Sequence, residues 1–276
     1  MLLRDRLQAR LLEMGASPDY VRLAEEVLLV RNATPALARR LVEQALVVED
    51  RRSAWIRMGE RIVASAPHTA GVYVLRDAGG RALYVGKAIN LRRRLRTHFA
   101  SRRWKALKSE LSRVEDVVWR EVGSELEALL LEARWIEELA PPVNVQQGEP
   151  SALRPLSARV VRDVIVLLPS VEPDAVELVA ASTVGPTRLL RTWRDGRDLS
   201  VEAGRLWTFF DHSLEDPEPA ADRLALAPIV FSWLAGRGAN ATRLEMRELD
   251  STDDLRVRLS VALRSPELFS ERLILR

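Results

Sequence analysis

The sequence predicts an α+β chain in three parts. A small three-stranded antiparallel sheet with flanking helices occupies 66–147. It lies between an N-terminal helical, winged-helix-like domain at 1–62 and a C-terminal α+β domain at 152–276. Three observations carry this. A helical period runs through the first sixty residues and stops around Ala66-Pro67-His68-Thr69. Two β-rich runs joined by a Gly-rich turn follow it. After Pro141 and Pro142 the pattern changes to several short strands interleaved with helices.

The N-terminal part reads as three helices. The first covers roughly 2–14 and stops before Gly15. The second starts after Ser17, with Pro18 at its first position, and the third after Thr34, with Pro35 in the same place. A hydroxyl cap followed by Pro is a start signal, because Pro has no amide hydrogen to leave unpaired. Ser53–Met58 reads as a short strand. Three helices and a strand fit a winged-helix-like module, in which Arg39 and Arg40 would touch DNA. A packing or protein-contact domain is the alternative.

In the central part, Gly71–Arg76 and Arg81–Gly86 form a hairpin across Asp77-Ala78-Gly79-Gly80. A basic helix follows at about 90–99, capped by Asn90, and Val114–Val122 is the third strand. Ser124-Glu125-Leu126-Glu127 is a capping box that opens a helix to about Leu139, where the two prolines end it. In the C-terminal part, 160–168, 176–181, 187–193, 205–210 and 243–249 read as strands, and 221–236 and 253–263 as helices. Asp211-His212-Ser213 in that part reads as a solvated turn.

Composition narrows the chemistry. With 47% hydrophobic and 29% charged residues in 276, the chain is not wholly disordered. The absence of cysteine excludes disulfides, thiolate metal sites and cysteine nucleophiles. Three scattered histidines exclude a histidine-rich metal centre. No apolar run reaches the ~18 residues of a spanning helix. The start of the chain is amphipathic and charged, unlike a signal peptide, so a cytoplasmic protein is expected. The net charge is only +3, but residues 87–108 hold nine Lys or Arg and no acid, a polyanion-binding pattern.

Within the basic helix, Leu91, Leu95 and Phe99 form the apolar stripe. Arg94 and His98, one turn apart, border it, while Arg92, Arg93 and Arg96 spread over other faces and would be available to phosphates. Lys87 follows Tyr84 by three residues at the end of the second strand. On the later helix, Glu132 falls inside the arc of Leu126, Leu129, Ala133, Trp135, Ile136 and Leu139, while Glu127, Glu137 and Glu138 fall outside it. A carboxylate among apolar side chains needs a partner. Either an Arg or a divalent cation would serve. Glu125 lies near the same line, in the first turn, where helix dipole and solvent account for it.

These residues carry a resemblance. Gly71-Val72-Tyr73 and Tyr84-Val85-Gly86 resemble the paired signatures of the GIY-YIG nuclease superfamily. Leu83–Ala88, Asn90–Leu95, Glu127–Ala133 and Pro142–Val145 are similar to its UvrC N-terminal and Cho-like branch. The resemblance covers about 66–147 and implies an endonuclease that hydrolyses DNA phosphodiester bonds with Mg²⁺ or Mn²⁺. It implies catalytic roles for Tyr73, Tyr84, Lys87, Arg94, His98 and Glu132, with Glu132 as the metal ligand. Tyr73 is the expected general base if His98 is its partner. Asn144 matches an asparagine that closes the module and is placed with the substrate-binding set. Arg92, Arg93, Arg96, Arg102, Arg103, Lys105 and Lys108 complete that set, as phosphate contacts. The implied partners are duplex DNA, damaged in a repair setting, and UvrA/UvrB-type repair proteins. A nucleoid-associated location is implied with them. A second nuclease half and a helix–hairpin–helix part are not evident, so one incision is expected. A non-catalytic DNA-binding scaffold, or a nuclease of RNA turnover or restriction, is the rival reading.

Overall fold

The computed structural model describes residues 3–15, 17–100, 111, 113–145, 161–211, 225–265 and 268. They fall into two compact units, Met1–Ser65 with Leu95–Ser101, and Ala66–Arg94 with Arg102–Arg276.

The first unit contains α1 (Leu3–Met14), α2 (Tyr20–Glu26) and α3 (Pro35–Ser65). Leu7, Leu23, Val27 and Val42 form its small core. The start of α2 differs from expectation. Asp19, not Ser17, caps the helix, its carboxylate accepting from the Arg22 amide at 3.0 Å, so Pro18 precedes the cap. Thr34 caps α3 as expected, its hydroxyl accepting from the Leu37 amide at 3.4 Å. The strand expected at 53–58 is not there, because α3 runs straight through it. Trp55, Met58 and Ile62 are all buried at helical spacing. The Trp55 ring packs 5.1 Å from that of Phe99, and Trp55 Nε1 donates to the Phe99 carbonyl at 3.3 Å. The longer helical repeat overrides the short apolar run, and the described residues 3–65 contain helices without a strand or wing.

The second unit holds two antiparallel sheets. In the first, β1 (Gly71–Asp77) lies between β2 (Ala82–Ala88) and β3 (Val114–Glu121). Asp77 builds the hairpin turn, its carboxylate accepting from the amides of Gly79 and Arg81 at 3.0 Å each. The flanking helices are α4 (Leu91–Ala100), α5 (Glu125–Leu139) and the single turn α6 (Pro142–Val145). In the second sheet, β4 (Val164–Pro169), β5 (Ala175–Ala181), β6 (Thr187–Trp193) and β7 (Arg243–Glu245) take the order β6-β5-β4-β7. Its helices are α7 (Leu199–Phe210), α8 (Ala227–Leu234) and α9 (Thr252–Arg264).

Residues 205–210, expected as a strand, are the second half of α7. Leu199, Ala203, Leu206 and Phe209 recur at helical spacing and are buried against the sheet, which settles the conformation. The strand expected at 243–249 ends at Glu245, where pairing with β4 stops, and a 3₁₀ turn, Met246–Glu248, follows. Of the helix expected at 221–236, residues 221–224 lie outside the described residues and the helix observed is α8, Ala227–Leu234.

One face of the second sheet packs on α7 and α9. The other packs on α8 and on Leu126 and Leu130 of α5. The opposite side of α5 presents Ala128 and Leu131 to Val72, Val74 and Val85 of the first sheet. Helix α5 is therefore clasped between two sheets, which explains its apolar run on more than one face. Burying each leucine contributes roughly 1.5–3 kcal/mol.

Candidate active site

The site is built on the hairpin. In register, Tyr73 pairs with Gly86 on β2 and with Trp119 on β3. Directly paired residues share a face, so Tyr73, Trp119 and the residues two positions along, including Tyr84, line one side of the sheet. A Cβ on Gly86 would lie 2.7 Å from the Tyr73 hydroxyl oxygen and 2.8 Å from Tyr84 Cε1. Glycine is thus required there by the two rings, whose centroids are 6.0 Å apart. Tyr73 is fully buried. Burial pushes its hydroxyl well above the ordinary tyrosine range, and the neighbouring Tyr84 adds to the shift. Tyr84 is half-buried.

Helix α4 brings Arg94 to the same face. Asn90 caps it as expected, accepting from the Arg93 amide at 2.8 Å. The amides of Leu91 and Arg92 donate to the carbonyls of Thr69 and Pro67 at 2.9 and 3.0 Å, so the loop before β1 holds the helix start. Arg94 Nε donates to the Tyr73 hydroxyl at 3.4 Å. Arg92 is placed differently from expectation. Its Nε donates to the Ala66 carbonyl at 2.6 Å, tying the helix to the preceding loop. Arg93 and Arg96 are exposed. His98 is 5% exposed and lies in the segment that groups with the first unit. Arg102, Arg103, Lys105 and Lys108 lie outside the described residues.

The third contribution comes to the open edge of β2. The Asn144 side chain brackets Val85, accepting from its amide at 2.8 Å and donating to its carbonyl at 2.9 Å. One side chain stands in for a neighbouring strand. Both ends of its amide are engaged in this way, so the geometry gives Asn144 a positioning task. Two residues along, the Lys87 amide donates to Glu132 Oε1 at 3.1 Å, and the Lys87 ammonium pairs with Oε2. Glu132 has found a lysine partner, not an arginine, and its side chain remains 18% exposed.

Glu125 and Glu127 depart from expectation. Solvent does not account for Glu125, which is 3% exposed. Trp233 Nε1 of α8 donates to it at 3.2 Å, and Arg237 pairs with it. Glu127, expected outside the apolar arc, is equally buried, and its Oε2 accepts from the Gly123 amide at 2.9 Å. Burial raises its carboxyl to about 7, against the pull of the Gly123 amide and with Glu177 adding to the rise. Trp233 and Arg237 cover Glu125, and Glu177 of β5 lies near Glu127, so the wheel of α5 taken alone misses both.

Among the described residues no three His, Cys, Asp or Glu side chains cluster as a metal site. Glu132 nevertheless fits a hydrated hard cation. It is a single, partly open carboxylate, and Mg²⁺ is commonly held by one or two carboxylates while keeping several waters.

Comparison with known proteins finds similarity over this region. A family model described as the UvrC-like GIY-YIG domain matches residues 69–145. The UvrABC system protein C of Tropheryma whipplei (strain Twist) is 46% identical over 87 residues, which are 31% of this chain and 14% of that protein. That of Paenarthrobacter aurescens (strain TC1) is 48% identical over 81 residues, 29% of this chain and 12% of the relative. The match thus spans a small fraction of these relatives' length. The crystal structure of the GIY-YIG N-terminal endonuclease domain of UvrC from Thermotoga maritima, bound to magnesium as its catalytic divalent cation, is 29% identical. It covers 30% of this chain and 91% of that one, with a TM-score of 0.27. The chain carries a UvrC-like GIY-YIG domain over residues 69–145.

Proposed function

We propose that the chain is a metal-dependent endonuclease that makes a single incision in DNA during excision repair. Two groupings in one small domain support this: Tyr73, Tyr84 and Arg94 on one face of the hairpin, and the Lys87–Glu132 pair at the end of β2. Phosphodiester hydrolysis needs an activated water, charge relief on the phosphoryl oxygens and help for the leaving oxygen. Arg94, exposed and anchored through its Nε on Tyr73, offers its remaining N–H donors to the phosphoryl group as charge develops. Tyr73 keeps its proton in its buried position and serves as a fixed hydrogen-bonding group. That moves the base role expected of Tyr73 to Tyr84, the more accessible hydroxyl. Glu132 would hold the cation, its Lys87 partner swinging aside. A divalent cation supplies Lewis-acid polarisation of the phosphate and leaving group when bound.

The relatives are named as the C protein of the UvrABC system, which supports a place in excision repair and partners of the UvrA and UvrB type. The test is incubation of the full chain with supercoiled plasmid and with defined damaged duplexes, in Mg²⁺, in Mn²⁺ and in EDTA. Nicked product that appears with metal and not with EDTA supports the reading. No product on any substrate sinks it.

A further inference from the structure

The second sheet carries a cavity that the nuclease chemistry does not use. Its volume is about 570 Å³, within the range of pockets that take small organic ligands. It opens where the start of β4, the end of α7 and the 3₁₀ turn after β7 meet. One wall is aromatic. Trp207 and Phe210 sit three residues apart on α7, hence on one face, both half-buried and packed against the core beneath.

Beside Val161 and Met246, the rest of the lining is polar and nearly charge-balanced. Arg162 and Arg247 both pair with the same oxygen of Glu245, at 2.7 and 2.8 Å. A guanidinium has five N–H donors, so each keeps donors for a ligand. Asp163 is held rigid, its Oδ1 accepting from the Thr183 amide at 2.6 Å, the Thr183 hydroxyl at 2.9 Å and the Ser182 hydroxyl at 3.2 Å. Its Oδ2 accepts no hydrogen bond from the described residues. Asp211 closes the rim at the end of α7. With Glu245 included, two guanidiniums face three carboxylates, and the C-terminal end of α7 adds negative potential. That balance does not select a phosphate. It suits a flat, neutral group that stacks on rings and offers both donors and acceptors at its edge.

We infer that this cavity receives one unstacked nucleobase of the DNA strand. The inference rests on the nuclease reading and adds to it a site that senses a base lifted out of the helix. Bases taken out of the stack are commonly held by aromatic or apolar stacking and by hydrogen bonds to their edge.

The test uses the full chain carrying Glu132→Gln, so that bound strands are not cut. Fluorescence anisotropy compares two single-stranded oligonucleotides of equal length and phosphate count, one with all its bases and one with a central run of abasic sugars. The base-bearing strand should bind about tenfold more tightly, the order expected for base stacking on aromatic side chains. Phe210→Ala and Arg247→Ala should each cut that preference at least about threefold. Arg247 has a side chain 60% exposed, so its replacement should leave the fold intact even if Phe210→Ala does not. Equal affinity for the two strands, or a preference unchanged in Arg247→Ala with a wild-type melting midpoint, overturns the inference. Failure of the nuclease reading shows separately, as a wild-type chain that never nicks plasmid.

Discussion

A Cβ on Gly86 would lie 2.7 Å from the hydroxyl oxygen of Tyr73, its partner across the hairpin. The second signature of the domain is therefore shaped to seat the tyrosine of the first. Gly86→Ala should force the ring aside at a cost of roughly 1–3 kcal/mol. Cleavage should fall by about tenfold or more, since small misplacements of catalytic groups are expensive. Plasmid nicking and a melting curve check this. A variant that cuts at the wild-type rate would show that the seat of Tyr73 does not matter.

Asn144→Ala removes both hydrogen bonds to Val85 at the edge of β2. The loss should be about 1–3 kcal/mol in urea denaturation. The cleavage rate should fall with it, because Tyr84 and Lys87 flank Val85 on the same strand. Asn144→Asp keeps the acceptor for the Val85 amide and should recover part of the stability.

Glu127 titrates at about 7 in the fold against 4.5 for the ordinary carboxyl, so the native state binds the proton more tightly than the unfolded chain does. Its contribution is therefore full below about 4.5 and is lost as pH rises to about 7, with no further change above. The span is worth about 3 kcal/mol at most. Glu127→Gln should abolish that slope and make the protein more stable above neutral pH. Denaturation curves between about pH 5 and pH 8 test it. A slope unchanged in the variant would assign the effect to another group.

Leu126 is fully buried between α5 and the second sheet. Leu126→Ala should cost about 2–5 kcal/mol. Because α5 belongs to both cores, the residues of both sheets should melt in a single transition, and cleavage should be lost with it on heating. Two separated transitions, with nuclease activity surviving the first, would contradict the shared helix.

The hairpin that carries Tyr73 and Tyr84 was legible in the sequence because its signals are local. The two signature runs, their turn, the Asn90 cap and the Ser124 cap each lie within a few residues of what they explain. The place of Arg94 beside the apolar stripe of α4 also followed, but its contact with Tyr73, 21 residues away, did not. The environment of α5 was not legible, because Trp233 and Arg237 lie more than a hundred residues from Glu125 and only the packing of α8 on α5 brings them close. The bracket of Val85 by Asn144, 59 residues apart, is hidden for the same reason. The errors at 53–58 and 205–210 have a different origin. Short apolar runs fit either period, and the burial of Trp55, Met58 and Ile62, or of Ala203, Leu206 and Phe209, decides for helix.

In the proposed mechanism Glu132 holds the cation on which cleavage depends. Glu132→Gln retains an acceptor for the Lys87 amide and removes the charge. The most direct measurement is single-turnover cleavage of one duplex by wild type and Glu132→Gln across a Mg²⁺ titration, with DNA affinity and melting midpoint measured on the same samples. The variant should cleave at least about 100-fold more slowly at every Mg²⁺ concentration, with affinity and midpoint near wild type. Wild-type cleavage by the variant, or a loss of rate matched by an equal loss of folded protein, would contradict it.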